Sequence, residues 1–160
     1  MTGAKLALVR PYGGAFEIGP LPLSIIRSFA QVDPGDKEAG GVLLGRYIAG
    51  TRDVVVDAVT VPLPGDVRHR TSFFRARRRH QDAIDEAWRT SEGTCTYLGE
   101  WHTHPEAMPS PSCIDTRDWS RRLTQDRFSG DLFFVVAGAE AIRAWEGRRG
   151  RSNLRTLRSV

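Results

Sequence analysis

The run DLFFVVAGA at residues 131–139 restricts the fold more than any other stretch of this chain. It is strongly apolar, rich in aromatic and β-branched residues, and reads as a strand that needs partners. AIRAWEG (141–147) supplies one directly after it, and RSNLRTLRSV adds an edge strand. Upstream, KLALV (5–9) reads as a short strand. EAGGVLLGRYI (38–48) and DVVVDAVTV (53–61) read as a hairpin turning at AGTRD. TYLGEWHTH (96–104) is a strand that Pro105 stops.

Helical periodicity falls between these runs. LSIIRSFAQ (23–31) has apolar residues near helical spacing and ends before the breaker DPGD. RARRRHQDAIDEAWRTS (75–91) is the clearest helix, with Ala76, His80, Ala83, Ile84, Ala87 and Trp88 marking its buried face. Another helix begins near Ser112 and runs through CIDTRDWSRRLTQ. PYGGAFEIGPLP is turn-rich and PLPGDVRHR reads as loop. The expectation is an α+β fold: a central mixed or antiparallel sheet flanked by two or three helices, with residues 1–160 as one domain.

No apolar run approaches the roughly 20 residues that span a bilayer. LALV near the start is far too short for a signal peptide's apolar region, so a cytoplasmic protein is expected. Cys95 and Cys113 make neither a disulfide framework nor a C-x-x-C pair. The net charge is +4 and nearly all of the positive charge is Arg. That composition permits nucleic-acid binding and suits an acidic protein partner equally well.

The segment GEWHTHPEAMPSPSCID carries the chemistry. His102 and His104 lie at i and i+2 on the 96–104 strand, so both face one side while Trp101 and Thr103 face the other. Two imidazoles on one face can converge on one ion. The Pro- and Ser-rich loop after Pro105 can bring Asp115 back as a third ligand, leaving one position open, as catalytic zinc sites do. Asp115 also has a purely structural reading, since Ser112 to Asp115 matches a helix N-cap with an acidic third residue. On spacing alone both readings stand, and they are compatible.

The full pattern resembles the JAMM (MPN+, JAB) motif of zinc isopeptidases: His102-x-His104-Pro, then Ser112-x-x-Asp115, with seven residues between His104 and Ser112. Glu38 in KEAGGVLLGRY matches the upstream E-x-x-G-x-L-x-G element. The resemblance implies one Zn²⁺ per chain held by His102, His104 and Asp115, with Glu38 as general base and Ser112 stabilising the oxyanion. It implies hydrolysis after the extended C-terminal tail of a ubiquitin-like or ubiquitin-like-ligated protein. Within the prokaryotic JAB branch, the chain looks most like the deconjugating peptidases of CBASS antiphage operons and related bacterial ubiquitination-like operons.

Other features have plainer readings. Arg75, Arg77, Arg78 and Arg79 read as a solvated helix face, with Arg78–Asp82 and Asp85–Arg89 as local pairs; a patch for an acidic partner is the alternative. His80 reads as a packed core residue, and Cys113 as pointing away from the metal. Two other classes of function stand beside the isopeptidase: a catalytically inactive MPN-type scaffold and an Arg-rich nucleic-acid binder. All the ligands of the motif are in place, so the expected partner is a protein substrate and neither nucleic acid nor membrane.

Overall fold

Every residue of Asp131–Ala137 is buried, because this strand lies inside a sheet covered on both faces. The structure is a computed structural model and describes residues 3–151 and 153–160. In chain order the elements are β1 (Leu6–Val9), β2 (Ala15–Ile18), α1 (Pro20–Ser28), β3 (Gly40–Tyr47), β4 (Val54–Val59), β5 (Val67–His69) and β6 (Ser72–Phe74). There follow α2 (Arg77–Thr90), β7 (Thr96–Thr103), α3 (Cys113–Gln125), β8 (Asp131–Ala137), β9 (Ile142–Arg148), β10 (Arg155–Thr156) and β11 (Arg158–Ser159). The class is α+β, as expected. No helix among the described residues is long and apolar enough to cross a membrane.

The main sheet runs β10-β9-β8-β7-β3-β4-β2-β1-β11. It is mixed: β2–β4 and β7–β8 are parallel and the remaining pairs antiparallel. Its two ends are consecutive in the chain. Arg155 and Thr156 pair with β9, Arg158 and Ser159 pair with β1, and Leu157 between them is buried and bonds its amide to the Ala144 carbonyl. One short segment therefore ties both edges of the sheet.

Two apolar layers result. On one face Leu23 and Ile26 of α1 pack with Phe16, Leu43, Leu98, Trp101, Phe133 and Val135. On the other, Trp119 and Leu123 of α3 pack with Val42, Tyr97, Phe134, Val136 and Trp145, and Ile84 and Ala87 of α2 lie against them. The ring of Trp119 stacks on Phe134 at 4.8 Å.

Several boundaries differ from the sequence reading. α1 starts at Pro20, because proline at the first helical turn is pre-set for the helix and needs no donor there. The turn-rich stretch after Tyr12 contains β2, and the 62–70 loop contains β5 paired with β6. Trp88 is 54% exposed, its ring lying over the turn at Gly93 and away from the sheet. The pairs Arg78–Asp82 and Asp85–Arg89 are not formed among the described residues; Arg89 meets Glu86 at 2.7 Å and Asp85 accepts from Gln81.

His80 is a core residue, fully buried. Its Nδ1 lies 2.7 Å from the Thr60 hydroxyl and its Nε2 2.7 Å from Asp66 Oδ2. The Asp66 carboxylate can only accept, so Nε2–H donates to it, and in that neutral tautomer Nδ1 accepts from the Thr60 hydroxyl, whose oxygen also accepts the Val42 amide.

Candidate metal centre

Register decides which way the histidines face. β7 pairs with β3, and the pairing shifts between Leu43 and Leu44, so that Leu98 is the extra residue of a bulge. Gly99 follows it at φ +136, and a Cβ there would stand 1.8 Å from the Phe133 carbonyl oxygen. Only glycine fits that turn of the strand. Beyond the bulge Glu100, His102 and His104 share the α3 face, while Trp101 and Thr103 enter the α1 layer. Trp101 is 1% exposed, with its indole N–H on the Thr60 carbonyl at 2.9 Å.

Glu38 lies just ahead of β3 and not within it. Its amide donates to the His69 carbonyl at 2.8 Å, and its carbonyl accepts Arg68 Nε at 2.8 Å. The β5–β6 hairpin thus fixes its backbone, and its side chain is turned inward. Gly41 lets β3 approach this region: a Cβ there would meet the Thr60 carbonyl oxygen at 2.1 Å.

Asp115 is aimed by helix capping. Ser112 is the N-cap of α3; its Oγ accepts the Asp115 amide at 3.1 Å, and Asp115 Oδ2 accepts the Ser112 amide at 2.8 Å. This reciprocal capping box holds the carboxylate at the start of α3. The capping reading of Asp115 is what the structure shows, and the same geometry leaves its carboxylate facing the two histidines.

The four side chains converge. His102 Nε2 and His104 Nε2 stand 3.0 Å apart. Asp115 Oδ1 is 3.3 Å from the first and Oδ2 3.1 Å from the second. Glu38 Oε1 is 3.9 Å from His104 Nε2, and ligand atoms of Glu38, His102 and His104 lie within 4.8 Å of one another. Glu38, His102 and His104 are all buried. Asp115 therefore sits closer to the nitrogen pair than Glu38 does. A cleft of about 270 Å³ opens onto these residues, walled by Phe73, Phe74, Trp119 and Ile114. A larger cavity of about 530 Å³ lies among Tyr12, Arg52, Arg148 and Arg155, away from this cluster.

The electrostatics separate the two carboxylates. Burial pushes the Glu38 carboxyl up to about 7, an effect that His102 and His104 partly offset and Asp115 reinforces. Burial would raise Asp115 too, but hydrogen bonds to His102 and His104 and the Ser112 amide hold it well below the usual carboxylate range. Burial would lower His104, yet Asp115, Glu38 and Glu106 together raise it.

The donor set fits a divalent cation. Two imidazole nitrogens 3.0 Å apart either share a proton in an N–H···N hydrogen bond or turn their lone pairs to a common cation. On zinc, with bonds of about 2.0–2.1 Å, tetrahedral neighbours stand roughly 3.3 Å apart. Glu106 Oε1 lies 3.1 Å from His104 Nδ1, which places a proton on Nδ1 and leaves Nε2 as the lone-pair donor. Cys113 is exposed and outside the cluster.

Glu106, Thr103 and Gln31 escape a reading of the sequence. Thr103 Oγ1 accepts the Ala39 amide at 2.9 Å and donates to Gln31 Oε1 at 3.0 Å, and Gln31 Nε2 donates to the Arg70 carbonyl at 2.8 Å. This chain runs behind the sheet from the histidine strand to the segment carrying Glu38. Arg75 also departs from expectation. It is not part of the solvated helix face but precedes α2, with a side chain 8% exposed and Nη2 3.1 Å from Glu100 Oε2. The aspect of HPE after the second histidine is the one signal that could have flagged Glu106.

Residues 23–148 match the family described as prokaryotic homologs of the JAB domain. A protein of Pseudomonas aeruginosa named CD-NTase/cGAS isopeptidase is 38% identical over 120 residues, 75% of each chain. One of Vibrio cholerae with the same name is 34% identical over 133 residues, 83% of this chain and 81% of that one. In fold, the solution structure of protein DSY2949 from Desulfitobacterium hafniense superposes with a TM-score of 0.63 at 18% identity, covering 89% of this chain and 90% of that one.

Proposed function

The chain belongs to the prokaryotic homologs of the JAB domain and is a hydrolase, and from that premise we propose a zinc-dependent isopeptidase or peptidase that cuts after the C-terminal tail of a ubiquitin-like or ubiquitin-like-ligated protein. The observation that carries the reading is the convergence of His102 Nε2, His104 Nε2 and the Asp115 carboxylate on one point. The names of the two relatives support a protein substrate joined through an isopeptide bond. On the same reading residues 1–160 work as one domain, in the cytoplasm, in bacterial antiphage defence.

His102, His104 and Asp115 would hold the ion. When bound, zinc supplies a Lewis acid for the scissile carbonyl and brings the pKa of water to about 7. Glu38, raised toward neutrality by burial, takes a proton from the attacking water onto its carboxylate and passes it to the leaving nitrogen. Ser112 Oγ accepts the Asp115 amide, so its own O–H is free to donate to the carbonyl oxygen as negative charge develops. Phe73, Phe74 and Trp119 exclude water from the cleft while the tail lies in it.

The test is cleavage of conjugates formed by the protein's operon partners, followed by mass spectrometry with and without chelator. Metal analysis should find about one zinc per chain, lost in His104→Ala. Glu38→Gln should keep the zinc and lose turnover about 10²–10⁴-fold. A preparation that is active yet zinc-free would overturn the reading.

A further inference from the structure

Glu100, His102 and His104 lie on one face of β7 at two-residue intervals, so Glu100 sits roughly 7 Å along the strand from His102. Its carboxylate is shared by two guanidinium groups. Arg75 Nη2 approaches Oε2 at 3.1 Å and Arg122 Nε approaches the same oxygen at 3.4 Å. All three side chains border the cleft that opens onto the metal centre. One anion thus serves two cations: Nε of Arg75 and Nε of Arg122 are buried without a hydrogen bond, the latter although it faces Glu100, so that any further partner must reach the terminal nitrogens from the cleft.

The other charges nearby do not complete the set. Asp126 Oδ1 stays 3.9 Å from Arg122 Nη1, and its second oxygen takes the Tyr97 hydroxyl at 2.8 Å. Asp118 is occupied by Arg121 at 3.0 Å. A guanidinium has five donors in a planar fork that matches a carboxylate. A second carboxylate placed between Arg75 and Arg122, opposite Glu100, would turn the Arg–Glu–Arg bridge into an alternating ring of four charges.

We propose that Arg75 and Arg122, held by Glu100, form a specificity subsite for a substrate carboxylate within about two or three residues of the scissile bond, the reach set by an extended chain rising about 3.3 Å per residue. This rests on the peptidase reading above and adds the substrate feature that the cleft selects. Two sources supply that chemistry: an acidic side chain of the substrate, or the free α-carboxylate of a short leaving segment. Arg75 and Arg122 are positioning residues for the substrate and take no part in proton transfer.

The experiment uses the zinc-loaded protein and internally quenched peptides of Ala and Gly. Each carries Glu, Gln or Lys at one of three positions on either side of the scissile amide, with a free or amidated C-terminus. Glu should raise kcat/KM about tenfold or more over Gln at one position, through KM. Arg75→Gln and Arg122→Gln should each bring that ratio toward one, Arg75→Lys should keep part of it, and Arg75→Glu should shift preference to Lys. A preference lost on amidation assigns the α-carboxylate as the source, and one that survives assigns the side chain. Thermal melts check the folding of the Arg75 variants, and the more exposed Arg122 supplies the second test if they fail. Cleavage with a Glu-to-Gln ratio near one, or a ratio that survives both Arg→Gln changes, overturns the subsite. If no peptide is cut, fluorescence anisotropy on Glu38→Gln decides. Acid-selective binding that Arg122→Gln removes sustains the subsite while counting against the peptidase reading, and binding without selectivity, or no binding, overturns the subsite.

Discussion

The hydroxyl of Thr103 receives the amide of Ala39 at 2.9 Å, while the amide of Thr103 donates to the Ala39 carbonyl at the same distance. The residue between the two histidines is thus locked to the residue after Glu38. Thr103→Val keeps the shape and removes the acceptor, leaving a buried N–H unpaired at a cost of about 1–3 kcal/mol. Zinc content should stay near one per chain, whereas turnover should fall up to about 100-fold as Glu38 shifts from its reacting position. Metal analysis beside steady-state kinetics reads the split; equal loss of both would show that the link holds the ligands and not the base.

Glu106 orients His104 through Nδ1. Partners of this kind typically account for 10–100-fold in metal affinity. Glu106→Ala should therefore weaken zinc binding by about tenfold in a chelator competition assay, at little cost in melting temperature, because half of its side chain already faces solvent. Unchanged affinity would mean that the Nδ1 proton is fixed by water as effectively as by the carboxylate.

Gly99 carries the bulge that turns the histidines toward α3. Gly99→Ala places a methyl 1.8 Å from a backbone oxygen at a left-handed φ, and no flexible side chain can yield. Urea unfolding should show a loss above about 4 kcal/mol, or no folded protein at all. A variant that folds normally would require β7 to pair without the bulge.

His80 bridges Thr60 and Asp66 inside the protein. His80→Leu leaves Asp66 with only the Leu63 and Ala76 amides and the Thr60 hydroxyl without an acceptor in the core, so it should cost about 1–3 kcal/mol in denaturant unfolding. Below the melting transition kcat should change little, because the residue touches nothing in the metal centre. A variant as stable as the wild type would mean that water replaces the imidazole.

What could be read in advance follows from how local each signal is. His102 and His104 alternate on one strand, and Ser112 caps the helix that aims Asp115. Both are short-range patterns, and they put three of the clustered residues into view before any fold is known. Glu38 needed the resemblance, because an acidic residue before a strand has no periodic signature. Thr103, Gln31 and Glu106 act through contacts that the sheet creates between distant segments. β2, β5 and β6 have three or four residues each, too few for alternation to register, while RSNLRTLRSV reads as one edge strand and pairs at both edges of the sheet. Arg75 was hidden by its neighbours: in RARRR it looks like one more solvated cation, and only tertiary pairing with Glu100 sets it apart.

The segment 155–159 joins strands that lie far apart in the sequence, β1 and β9. β1 leaves the ribosome well before residues 158–159, with one side paired to β2, and its other side has no native partner until Arg158 and Ser159 appear. While the residues between β1 and β11 are being made, the nascent chain presents an open strand edge, the kind of template that recruits other chains. Mature stability and the hazard of biogenesis are thus set by the same five residues. Interference with them, by truncation or by a stalled ribosome, would be felt first as lost solubility during expression and only afterwards as lost catalysis.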